Sequence, residues 1–259
     1  MEQRNILYLI PMEDYFPYKQ LISYGSELTW ITRTGPFDRV INVHSEKVLG
    51  ASSLDRDQYL TESGANIGLP RIIQQPSLIQ VKDWWFPTFS GWDSVLHKTM
   101  SAFNYALNYT NFDFIVRTAP SSFWNPRILR KKISELNIEN CAYGTVRYHF
   151  NTPFIEGSNL ILDRKTVETL VTNNHLLNYG IIDDVAIGGA LGLLGVNMVD
   201  WPRPRIEFRK DFFDKRYGPF NQIYSFRCRR SKDYSISVLV KELMAMRKIH
   251  RILLDYRDY

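Results

Sequence analysis

The stretch Asn111-Phe112-Asp113-Phe114-Ile115-Val116-Arg117-Thr118-Ala119-Pro120-Ser121-Ser122 decides how the chain is read. Its first seven residues are an apolar-rich run of the length and composition of a central strand. The run then turns polar at Thr118-Ala119-Pro120-Ser121-Ser122, a loop by composition. Asn125 and Pro126 follow as a cap and a first-turn proline, which start a helix. In that helix Leu129, Ile133 and Leu136 share one stripe, with Arg127, Arg130, Lys131 and Lys132 on the wetter side. Strand, loop and helix in this order are the unit of a layered α/β fold.

The same alternation extends both ways. Asn5 to Ile10, ended by Pro11, reads as a buried strand of a parallel or mixed sheet. Val40-Ile41-Asn42-Val43 and Leu78-Ile79-Gln80-Val81 are further strands. Ser94 to Asn108 reads as a helix capped by Asp93 or Ser94, with Leu96, Met100, Phe103 and Leu107 on one stripe. Tyr143 to Phe150 suits a strand or hairpin, and Asn159 to Leu162 a strand. Asp163 caps a helix through Leu177. Asp183-Asp184 opens another helix that runs to Gly195, and a last helix spans Ser235 to Leu254. Pro202 to Tyr217 is irregular and polar, a surface loop. The expectation is one α/β domain over residues 1–259, a mixed sheet flanked by helices, with a basic helical segment from about 201.

Composition removes several classes. The chain has 259 residues, 44% hydrophobic and 23% charged, which argues against disorder. Two cysteines, Cys141 and Cys228, are too few for a disulfide framework or a four-cysteine zinc site. No apolar run approaches the roughly 20 residues that span a bilayer. The first residues lack the apolar core of a secretory signal, so a reducing, cytoplasmic setting is expected. Net charge is +5, unevenly placed: residues 201–259 hold 15 Lys and Arg against 7 Asp and Glu. Such a surplus suits an anionic partner, namely a nucleotide pyrophosphate, a phosphate-linked lipid, a membrane surface or nucleic acid. Zinc-finger spacing and an aromatic RNP-like strand are both missing, so nucleic acid is not expected. Aromatic residues make up 14% of the chain and suit a ring-rich core or a groove on which sugars stack.

Three segments carry chemistry. In the opening stretch, Arg117 can pair with phosphate, and Ser121 and Ser122 can bond phosphate or sugar oxygens, at the strand end where open α/β sheets bind ligands; the same loop can simply cap the next helix. In Pro153-Phe154-Ile155-Glu156-Gly157-Ser158, glycine admits a ligand close to the backbone and Glu156 can bond sugar hydroxyls; a tight start to a strand is the alternative. In Ile182-Asp183-Asp184-Val185-Ala186-Ile187-Gly188-Gly189, the paired carboxylates can serve as a general base or as a cap. The glycines there fit neither a Walker A nor a Rossmann fingerprint. The five histidines form no HExxH pair, and no GxSxG elbow is present.

Taken in order, these segments resemble the β-1,3-galactosyltransferase and Fringe-like group of GT-A glycosyltransferases. The matching pieces are Lys98-Thr99 in a helix, Phe114-Ile115-Val116-Arg117-Thr118, Phe154-Ile155-Glu156-Gly157, and Asp183-Asp184-Val185-Ala186-Ile187-Gly188. The likeness covers residues 94 to 195, and Thr29-Trp30 and Phe226-Arg227 fit more loosely. It implies a GT-A, Rossmann-like mixed sheet and inverting hexosyl transfer from a nucleoside-diphosphate sugar, UDP-sugar first, to a hydroxyl of a glycan or lipid-linked glycan. In that reading Asp184, or Asp183, is the base. Glu156, Gly157 and Ser158 shape the sugar pocket, and Trp124 is a stacking wall.

One departure bears on the cofactor. The family's Asp-x-Asp, which holds a divalent ion, would fall at Ala119-Pro120-Ser121-Ser122, and hydroxyls replace carboxylates poorly on Mg²⁺ or Mn²⁺. The family's late histidine ligand is also missing, with Tyr224 and Ser225 nearby. No metal is therefore expected, and Arg117, Lys98 and Arg227 would neutralise the departing diphosphate. The resemblance and the lack of an anchor suggest surface-polysaccharide synthesis in the cytoplasm, with the basic segment touching the inner face of a membrane. A catalytically silent glycan-binding protein on the same fold, or a nucleic-acid-binding or modifying protein, are the rival readings.

Overall fold

The computed structural model describes residues 4–12, 18–26, 29–35, 37–46, 71–74, 81–87, 94–136, 140–205, 219–228 and 235–255. Strand β1 (Ile6–Pro11) is apolar on both faces because both are covered: Ile6, Tyr8 and Ile10 enter one core, Leu7 and Leu9 the other. In chain order β2 (Asp38–Glu46), β3 (Arg71–Gln74), β4 (Val81–Pro87), β5 (Phe114–Thr118), β6 (Ser122–Trp124), β7 (Cys141–Gly144), β8 (Val146–His149), β9 (Thr152–Ile155), β10 (Asn159–Asp163), β11 (Asn197–Asp200) and β12 (Ser225–Arg227) follow. Eight of them form one sheet in the order β11-β7-β10-β5-β1-β2-β4-β3. Strands β5, β1, β2 and β4 are mutually parallel, while β10 runs antiparallel to both its neighbours. The expected mixed sheet is thus present.

The longer helices among the described residues are α1 (Val95–Tyr109), α2 (Pro126–Ser134), α3 (Arg164–Thr172), α4 (Asp183–Leu193) and α5 (Ile236–Asp255). One sheet face carries α2 and α5 through Leu129, Ile133, Met246 and Ile249. The other carries α1, α3 and α4 through Met100, Phe103, Val167, Ile187 and Leu191. Asp163 caps α3 as expected, accepting the Thr166 N–H at 2.6 Å. No helix among the described residues is long and apolar enough to cross a membrane.

Several elements differ from the sequence reading. Leu78, Ile79 and Gln80 lie outside the described residues, and the strand there begins at Val81. The stretch Tyr143 to Phe150 is split between β7 and β8, and β8 forms a hairpin with β9. Helix α3 ends at Thr172, followed by a 3₁₀ turn at Asn174–Leu176. Ser122 and Trp124 belong to a strand, because β6 pairs antiparallel with β12. Arg130 points inward rather than to the wet side: its guanidinium pairs with the buried carboxylate of Asp38 and donates to the Arg4 carbonyl at 2.9 Å. Burial pushes the Asp38 carboxyl above its usual range, while the Gly35 N–H and Arg130 pull it back. Of the irregular basic stretch, Pro202–Arg205 is described, and Arg205 makes an isolated bridge to Arg227.

Candidate active site

The chain leaves β1 toward β2 on one side of the sheet, whereas β5 lies on the other side of β1. That reversal opens a crevice at the carboxyl ends of β1 and β5, the usual ligand position in open α/β sheets. A cleft of about 510 Å³ sits there. Its floor is Pro11 and Arg117 to Ser121, and its walls include Arg147, Tyr148, Glu156, Gly157, Ser158, Ile182, Asp183, Asp184, Arg205 and Arg227.

Helix α4 delivers the carboxylates. It can approach β9 because residue 188 is glycine: a Cβ there would lie 2.7 Å from the Phe154 Cα and 2.8 Å from the Pro153 carbonyl oxygen. That approach brings the first turn of α4 onto Gly157. Asp183 pairs with the Arg117 guanidinium, and both side chains are about nine-tenths buried. Asp184 accepts the Gly157 N–H at 3.3 Å and the Val185 N–H at 3.1 Å. Burial first, and then the charge of Asp183, push the Asp184 carboxyl above the ordinary aspartate range; Arg117 and the two N–H groups oppose them. A carboxylate of raised basicity facing a cleft is suited to proton abstraction.

Glu156, next to Gly157 in the cleft lining, is a hub of ion pairs. Its Oε1 accepts from Arg147 Nε at 2.9 Å and from Arg205 at 3.0 Å, and its Oε2 from Arg203 at 3.4 Å. Burial alone would raise its pKa; Arg203, Arg147 and Arg205 outweigh that and hold it at about 2. Arg203 lies behind the wall, fully buried, and also donates to Ser158 Oγ and to Ser122 Oγ, the latter at 3.2 Å. Ser122 Oγ in turn donates to the Ser158 carbonyl at 3.1 Å and receives Arg227 at 3.5 Å. The pairing of β6 with β12 sets Arg227 beside Ser122. The backbone of 156–158 is therefore held from behind by buried polar groups.

Eight of the residues singled out in the sequence line the cleft together: Arg117, Ser121, Glu156, Gly157, Ser158, Asp183, Asp184 and Arg227. Three stand behind it. Lys98 is fully buried and donates to the Met12 carbonyl at 2.7 Å, which fixes the end of β1. Trp124 is fully buried and donates its indole N–H to Thr118 Oγ1 at 2.7 Å, so its ring supports β5. Ser122 bonds the arginines from below. The sequence reading missed Arg147, Tyr148, Arg203 and Arg205; the basic surplus beyond residue 200 was the one signal for the last two.

Among the described residues the cleft floor is poor in ligands for a divalent ion. Ala119, Pro120, Ser121 and Ser122 bring no carboxylate to the floor, and Asp183 is paired with Arg117. Among the described residues no three His, Cys, Asp or Glu side chains are grouped to hold a metal. Tyr224, near the expected position of the histidine ligand, is buried and spends its hydroxyl on the Trp201 carbonyl and on Asn159.

No protein-family model matches the chain, and no curated protein matches it in sequence. Solved structures do. The galactosyltransferase LgtC, solved with donor and acceptor sugar analogues, matches with a TM-score of 0.50 at 8% identity, over 96% of each chain. A mannosyltransferase from Pyrobaculum calidifontis, solved with GDP-mannose and Mn²⁺, gives 0.45 at 12% identity, over 78% of this chain and 55% of its own. The glycosyltransferase GlyE of Streptococcus pneumoniae gives 0.44 at 8% identity, over 98% of this chain and 64% of its own. The chain thus spans about half the length of the mannosyltransferase and less than two thirds of GlyE. The likeness to LgtC is one of fold, and the fold is GT-A.

Proposed function

We propose that this chain is an inverting glycosyltransferase that moves a hexose from a nucleoside-diphosphate sugar, UDP-sugar first, to a hydroxyl of a glycan acceptor. The observation that carries the reading is the position of Asp184. It is a desolvated carboxylate of raised basicity at the mouth of the strand-end crevice, one backbone contact from Arg117. The donor lies across the ends of β1 and β5. Its diphosphate takes Arg117, Ser121 and Arg227, and its sugar faces Gly157 and Ser158. Asp184 removes the proton of the acceptor hydroxyl while that oxygen bonds the anomeric carbon on the face opposite the diphosphate. The carbon–oxygen bond to the diphosphate breaks, and its electron pair leaves with the nucleotide. Fixed guanidiniums stabilise the developing charge where other members of the fold use an ion. The motif order shared with the β-1,3-galactosyltransferase and Fringe-like group supports this assignment, and the proposal includes a part in surface-polysaccharide synthesis.

The test is nucleotide release from UDP-, GDP-, dTDP- and CMP-sugars with a mixed glycan acceptor pool, with EDTA or Mn²⁺. Release from one donor in EDTA is expected. Donor binding without release under any condition would favour the second reading, a silent glycan-binding protein, to which the missing Asp-x-Asp lends support.

A further inference from the structure

Two of the cations in the cleft are more than the fold requires. The buried Glu156 carboxylate is matched in charge by Arg203, whose side chain is 1% exposed. Arg147, from the β8–β9 hairpin, and Arg205, from the segment after β11, nevertheless converge on the same oxygen, Oε1. Their side chains are 48% and 64% exposed. Ion pairs so exposed contribute little to stability. Among the described residues one carboxylate faces three guanidiniums, an excess of two positive charges there, and each rim arginine gives Glu156 a single N–H of its fork. Tyr148, next to Arg147, lines the cleft with its ring 73% exposed. The hairpin that carries both residues packs through Phe154 on Gly188 of the helix that carries Asp184.

We infer that Arg147, Arg205 and Tyr148 form a second anion subsite at the cleft mouth, which holds the acceptor by a carboxylate or phosphate group while Tyr148 covers a sugar face. The acceptor is thus an acidic glycan, uronic, sialic or phosphorylated. The inference rests on the transferase reading of the cleft. Glu156 keeps the two guanidiniums convergent, so an oxyanion meets a formed fork rather than two wandering side chains. The donor in the transferase reading is assigned to other cations, Arg117 on β5 and Arg227 on β12.

The experiment is calorimetric titration of the UDP-saturated protein with glucuronic acid, N-acetylneuraminic acid, glucose 6-phosphate and glucose. At least one acidic sugar is expected to bind about tenfold or more tighter than glucose, with affinity falling as salt rises from roughly 50 to 500 mM. The arm that binds tells carboxylate from phosphate. The double variant Arg147→Gln, Arg205→Gln is expected to lose about tenfold or more of that affinity. Its melting temperature checks that it folds, and exposed pairs cost little there. Equal binding of acidic and neutral sugars, binding of none, or an unmoved affinity in the double variant overturns the inference. UDP, GDP, dTDP and CMP are titrated separately. If none binds, it is the transferase reading that fails, and the sugar titration without nucleotide still decides the subsite.

Discussion

The guanidinium of Arg117 occupies the place a side chain on Gly157 would take. A Cβ at residue 157 would collide with it and lie 3.3 Å from the Asp184 Cβ. The glycine of the Phe154-Ile155-Glu156-Gly157 motif thus lets the strand-end cation and the helix-borne carboxylates share one spot. Gly157→Ala is expected to expel Arg117 from its pair with Asp183. Nucleotide affinity, read by calorimetry, should fall about tenfold or more, the worth of a charge-assisted bond. An unchanged affinity would remove Arg117 from the donor site.

Asp184→Asn keeps the shape and removes the base. Transfer should fall by about 10³-fold or more, with nucleotide binding nearly kept. The sign of the stability effect follows from the raised pKa. The native carboxyl holds its proton more tightly than the unfolded one, so the native state is penalised once pH rises above the native pKa. The amide has no such penalty. The variant should melt no lower than wild type at neutral pH, and any gain should vanish in acid. The wild-type rate should fall with acidification at a pH above the ordinary aspartate range. A variant with near-normal turnover would take the base role from Asp184.

Glu156 behaves in the opposite sense. Its pKa is held at about 2 against 4.5 for an ordinary glutamate, so its contribution is full above pH 4.5 and is lost as pH falls through about 2. Glu156→Gln leaves Arg203 buried without its counter-charge, which costs about 3 kcal/mol or more. Urea unfolding at neutral pH should show that loss. The gap between variant and wild type should narrow as pH drops through the same window, and a constant gap would assign the loss to packing.

The parts of the fold visible in the sequence are those fixed by local chemistry. β1 and β5 are apolar on both faces because they lie mid-sheet, Asp163 caps its own helix, and Asp183-Asp184 sit in a first turn. What was hidden depends on partners far along the chain. Trp124 looks available beside a polar loop, yet pairing with Ser225–Arg227 seals it inside. Lys98 carries a charge the sequence offers to phosphate, but the α1 packing turns it to the Met12 carbonyl, 86 residues away. Arg203 reaches Glu156 across 47 residues from a stretch with no periodicity. Such a residue announces only its charge.

The proposed independence of metal rests on the described residues of the cleft floor. An ion held by the described residues of the floor would have to replace the Arg117–Asp183 pair or bind the hydroxyl of Ser121, and either leaves a guanidinium or a cation poorly matched. Arg227 is the cation placed beside Ser122 by strand pairing, on the side where the diphosphate would lie. Nucleotide release by the wild-type protein should therefore persist in EDTA. Arg227→Gln should slow it about 10²-fold, the usual cost of removing one fixed donor from a developing anion. Added Mn²⁺ should not restore the variant, because residues 119–122 of the floor offer it no carboxylate. Restoration by Mn²⁺, or loss of wild-type release in EDTA, would transfer the role of neutralising the diphosphate from the arginines to a metal.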